Sequence, residues 1–137
     1  MAKNPAGLAE WGLGKAQEYL ESADANLAAK RLYPAAEDIF RATETTLEAM
    51  LYNKGIKRIA YPGKEKEFTG RLALQFLIRD NLVPGTISSE DYHEYHALAA
   101  KLHTGGYEHS KRFDPAELAQ CLEFAEKLFD KAKNVIQ

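Results

Sequence analysis

Apolar residues recur along this chain at steps of three and four, and almost nowhere in strict alternation. That spacing is the period of an amphipathic helix and not of a half-buried strand. Asn4-Pro5 has the form of a cap followed by proline at the first helical position. Leu8, Trp11, Ala16, Tyr19, Ala23 and Leu27 then predict the buried face of a long first helix ending near Lys30. A second helix starts close to Pro34, turns Ile39, Phe40, Thr43, Leu47, Met50 and Leu51 inward, and stops at Gly55. Only a short turn separates the two, so they should pack antiparallel.

Residues 55–66 read as a connector with a turn at Pro62-Gly63. A third helix is expected over roughly 67–81. Phe68, Leu72, Phe76 and Arg79 lie along one side of it, and Leu74, Leu77 and Ile78 widen the stripe. Pro84-Gly85 breaks the chain. Ser88, with Asp91 three residues on, can cap a fourth helix that buries Tyr95, Leu98, Ala99 and Leu102 and runs to about His103. Gly105-Gly106 ends it. Asp114-Pro115-Ala116-Glu117 is a strong start for the last helix, whose inner face is Leu118, Leu122, Ala125, Phe129, Ala132 and Ile136. The expected fold is all-α: a single domain over residues 1–137, an antiparallel bundle of about five helices. Four form an up-and-down core, with the shorter third beside it.

Composition narrows the function classes. The chain is 45% hydrophobic and 28% charged, with a net charge of -2, so no global basic field draws it to nucleic acid. Cys121 is the one cysteine, which excludes an internal disulfide and fits a reducing compartment. The start, MAKNPAGLAEWG, is not a secretory signal, and no apolar run approaches the roughly 20 residues that span a bilayer. A cytoplasmic protein is expected.

Metal chemistry finds no ligand set. Glu90 and His93 form one Glu-x-x-His pair, whereas a di-iron bundle needs two such pairs and two further glutamates. His93, His96 and His103 share one side of the fourth helix, but His103 sits roughly 10 Å further along the axis than His96. Three such ligands do not converge on one tetrahedral ion. His96 and His103 instead flank the buried face beside Tyr92, half covered. Cys121, next to Leu122, takes a core-facing position where a thiol is inert packing. No metal and no cofactor are expected.

Two basic patches remain. Lys54, Lys57, Arg58, Lys64, Lys66 and Arg71 gather around the second connector. Lys101, Lys111 and Arg112 surround His103 and His109 in the stretch KLHTGGYEHSKRF. Acidic residues concentrate on the first two helices, at Glu10, Glu18, Glu21, Asp24, Glu37, Asp38, Glu44 and Glu48. Basic side chains mixed with Tyr61, Tyr107 and Phe113 have the composition of a phosphate or RNA contact surface.

The arrangement resembles the HEPN domains over nearly the whole chain. KAQEYLESADANLAAKRLY, Lys15 to Tyr33, is similar to the family's opening helix. PAAEDIFRATETTLEAMLYNKGI, Pro34 to Ile56, is similar to its second, with an "A-x-E" element at Ala42, Thr43 and Glu44 and a "Leu-x-x-x-Gly" ending from Leu51 to Gly55. Tyr107, Phe113 and the long final helix also fit. The resemblance implies a compact helical bundle, often a homodimer. Many members are metal-independent endoribonucleases. Others are inactive relatives that bind RNA, nucleotides or a nucleotidyltransferase partner, often as toxin–antitoxin pairs. Active members carry an arginine and, four to six residues later, a histidine. In such a site a histidine moves the proton and an arginine fork stabilises charge on phosphorus.

This chain departs from that pattern. His103, Thr104 and Gly105 occupy the positions where the arginine would precede His109. Lys101 is a point charge and not a fork, and Arg112 lies on the other side. The leading expectation is therefore a non-catalytic binding and dimerisation module for RNA, nucleotide or a nucleotidyltransferase. The first alternative is an endoribonuclease with an altered motif, its catalytic residues His109, His103, Tyr107 and Lys101, its phosphate contacts Lys101, Lys111, Arg112, Lys57 and Arg58. The second is an interaction scaffold with no nucleic-acid role.

Overall fold

The computed structural model describes residues 5–56, 60–62, 67–104 and 112–136. Helix α1 spans Pro5–Ala28 and α2 spans Leu32–Asn53. Two three-residue strands, β1 (Ala60–Pro62) and β2 (Glu67–Thr69), pair antiparallel with Tyr61 opposite Phe68. Helix α3 is Gly70–Asn81 and α4 is Ser89–Ala99, continued by a π-helical turn, Ala100–Thr104. Helix α5 is Pro115–Ile136. The chain is an all-α bundle with one small hairpin attached.

Local chemistry sets the helix ends. Arg31 N–H donates to the Asn26 carbonyl and Lys30 N–H to that of Leu27, closing α1 in a Schellman motif with Lys30 at φ 61°. The same pair of bonds closes α2, from Ile56 to Leu51 and from Gly55 to Tyr52, with Gly55 at φ 95°. Ser88 accepts from Asp91 N–H at 3.0 Å and the Asp91 carboxylate accepts from Ser88 N–H, a capping box worth about 1 kcal/mol.

Helix directions follow from side-chain pairs. Asp38 near the start of α2 accepts from Ser22 and Asn26 near the end of α1, so these two are antiparallel. Phe113, just before α5, packs edge-on against Tyr33 at the start of α2, with ring centroids 5.4 Å apart, so α5 runs alongside α2 in the same direction. Asp91 pairs with Lys131 and Lys101 with Glu117, so α4 runs against α5. The order is up, down, up, down for α1, α2, α4 and α5, with α3 beside them. α1, α2 and α5 pack most closely together. One core links Ile39, Leu47, Ile78, Tyr95, Leu118 and Phe129 from all five helices.

Three expectations need correction. Residues 67–69 are a strand and α3 begins at Gly70; the segments are too short for periodicity to reveal. Pro62 closes β1, an end position where its missing N–H costs no ladder bond. On α1, Trp11 is 44% exposed while Ala9, Leu13, Ala16 and Ala23 are buried. Gly12 meets Ala49 there, which turns the small residues inward and Trp11 to the side, where Lys15 Nζ lies 4.2 Å from its ring. On α3, Leu72 is 46% exposed and the buried stripe is Ala73, Leu74, Leu77 and Ile78. Asn4 and Gly105-Gly106 lie outside the described residues.

Candidate functional site

The buried face of α4 is fixed by Tyr95, Leu98 and Ala99, and Leu102 continues it through the π turn. This face lies on α2. Tyr95 is fully buried, and its hydroxyl donates to Glu44 Oε2 at 2.6 Å. Glu44 thereby ties the middle of α2 to the middle of α4. One turn on, Glu48 is half-buried. Burial pushes its carboxyl above the ordinary range, Lys15 opposes that, and the Glu44 charge adds to it. The result is a polar seam across the bundle, with acids from α2, a lysine from α1 and a tyrosine from α4. Tyr52, a further turn along, is raised by burial and by Glu48.

The expected catalytic stretch is held at its two ends. Leu102 is buried at one end and Phe113 at the other, the latter against Tyr33. Lys101 is exposed and donates to Glu117 Oε1 at 3.2 Å. Glu117 therefore serves Lys101 and not the helix cap, which Asp114 provides by accepting from Ala116 N–H at 3.1 Å. Arg112 is exposed. His103 falls in the π turn, where only its backbone is described. π turns inside α-helices mark functional positions in many folds. His109, Tyr107, Lys111, Lys57 and Arg58 lie outside the described residues.

His96 is half-buried on the flank of α4, its ring 4.5 Å from Tyr92 and edge-on to it. Burial lowers its pKa, and neighbouring His93 lowers it further. Tyr92 reaches across to α3, donating to the Gln75 carbonyl at 3.3 Å. On α3, Arg79 lies over Phe76 and forms a two-point pair with Asp80 at 2.7 and 3.1 Å. Among the described residues, no three His, Cys, Asp or Glu side chains gather as a metal site. No described helix is long and apolar enough to cross a membrane.

Between α4 and α5 runs a groove of 570 Å³, lined by Asp91, Glu94, Glu123, Phe124, Lys127 and Lys131 among others. A smaller pocket of 190 Å³ continues it through Leu98 and Cys121 to Lys101 and Glu117. Cys121 was expected to face the core. It is half-buried, packs against the core and also borders this groove. Burial pushes its thiol pKa up, so the thiolate is scarce at neutral pH.

Sequence reasoning missed the polar seam as a unit. Glu44 was legible as part of a motif and Tyr95 as a core position, but not as partners. The available signal was a pair of acids at i and i+4 bordering the apolar stripe of α2. Comparison of the chain with protein-family models, curated proteins and solved structures gives no match.

Proposed function

We propose that this chain is a HEPN-type helical domain acting as a binding and dimerisation module, with RNA, a nucleotide or a nucleotidyltransferase as its partner, in a cytoplasmic toxin–antitoxin-like setting. The helix order and directions support the family reading, as does the position of Glu44. The "A-x-E" acid is directed across the bundle, where it holds α4 through Tyr95.

The observation that carries the non-catalytic reading is the Lys101–Glu117 pair. Lys101 is the cation that an altered site would need beside His103. Its charge is answered by a carboxylate from α5, and a negative charge beside the site opposes a phosphoryl transition state. The pair is exposed and worth at most about 1 kcal/mol, so a phosphate ligand can displace it. Binding is thus within reach while catalysis lacks a dedicated cation.

The test is incubation of the purified protein with a long RNA in chelator, beside a binding titration at several salt concentrations. The expected result is intact RNA and an affinity that falls as salt rises. Cleavage that disappears in His103→Ala or His109→Ala would overturn the non-catalytic reading. Absence of RNA and nucleotide binding at low salt, together with no association with a nucleotidyltransferase, would overturn the binding reading.

A further inference from the structure

The α4–α5 groove is tied shut at both ends and open between. Asp91 to Lys131, at 2.7 Å, closes one end and Lys101 to Glu117, at 3.2 Å, closes the other. Between the ties the two helices stand apart. The α5 residues that line the opening are Glu117, Gln120, Cys121, Phe124, Lys127 and Lys131. They recur at three, four and seven, the spacing of a seam that faces another helix, and extend over about 21 Å of helix. Their charges are segregated. Glu117 and Glu123 stand in the first half of the seam, Lys127 and Lys131 in the second.

A helix with this layout is complementary to itself only when reversed. Parallel alignment would set acid against acid and lysine against lysine. Antiparallel alignment, centred near Phe124, sets Glu123 of one copy near Lys127 of the other and repeats the contact by symmetry. From this charge order we infer that α5 and its groove are the face by which two copies of this chain meet, antiparallel about a two-fold axis. The inference rests on the dimerisation part of the function proposed above and gives it a location and a register. Because Phe124 and Leu128 are already largely buried, the interface is polar, and the ion pairs set its orientation.

Sedimentation of wild type, Glu123→Lys and Lys127→Glu tests this, with circular dichroism to show that each variant is folded. Wild type should be dimeric. Each single variant should dimerise roughly tenfold more weakly or worse, since like charges then meet twice per interface. Mixing the two single variants should restore a heterodimer, because every cross-copy contact again joins opposite charges. An effect confined within one helix cannot be rescued by mixing. A dimer indifferent to either reversal, or no rescue on mixing, would overturn this interface and leave the dimerisation reading standing. A wild type that stays monomeric would overturn both, while the RNA titration judges the binding reading independently.

Discussion

Gly12 of α1 and Ala49 of α2 meet so closely that a methyl group at residue 12 would lie 2.9 Å from the Ala49 Cβ. The Ala49 Cα would be only 3.3 Å away, so relief requires the helices to part. Gly14, two residues along, has nothing within 4 Å of the same added atom. The two glycines should therefore respond oppositely to alanine. Gly14→Ala gains helix propensity, about 1 kcal/mol. Gly12→Ala gains the same term but overpacks the closest helix pair, at a cost of about 1–3 kcal/mol, for a net loss. Urea midpoints of the two variants check this, and equal shifts would remove the close approach from the account.

Lys30 closes α1 at φ 61°, in the left-handed region where a side chain costs about 1–2 kcal/mol. Glycine avoids the clash but adds freedom to the unfolded chain. Lys30→Gly should therefore stabilise by roughly 0.5–1 kcal/mol. Equilibrium unfolding measures it. A loss of stability would mean that the lysine side chain supplies more than its backbone costs.

The parts of the fold legible in the sequence are those written locally. Ser88 and Asp91 lie three residues apart, and their reciprocal bonds are a property of that spacing. The inner faces of α2 and α4 were legible because Leu47, Leu51, Leu98 and Leu102 mark an apolar stripe. Trp11 misled because size was read as burial, whereas the Gly12–Ala49 approach decides how α1 is rotated. The site was less legible for the same physical reason. Glu44 and Tyr95 are 51 residues apart, and no periodicity links a carboxylate to a hydroxyl on another helix. Lys101 could be read as a free cation until α5 set Glu117 beside it.

The Tyr95 hydroxyl sits in the core and is matched to Glu44 at 2.6 Å. Tyr95→Phe keeps the ring and removes the donor. A hydrogen bond to a charged group contributes about 1.5–3 kcal/mol, so a loss of that order is expected. Combining it with Glu44→Gln in a double-mutant cycle should give a coupling energy of about 1 kcal/mol or more. Additive losses would show that the two groups are stabilised separately.

Glu48 makes stability depend on pH in a direction that can be worked out. Its carboxyl is raised, first by burial and then by Glu44, with Lys15 opposing. A raised carboxyl binds its proton more tightly in the folded chain than in the unfolded one. The stability linked to that proton is complete below the unfolded value, about 4.3, and is lost as pH rises through the folded value. At neutral pH the folded chain therefore carries a charge that its surroundings disfavour on balance. Glu48→Gln should raise the melting temperature at pH 7, and the gain should shrink toward pH 4, where wild-type Glu48 is protonated. Melts of both proteins across this range are the measurement. A gain that persists undiminished in acid would assign the effect to packing. A loss at pH 7 would show that the attraction of Lys15 outweighs burial at this position.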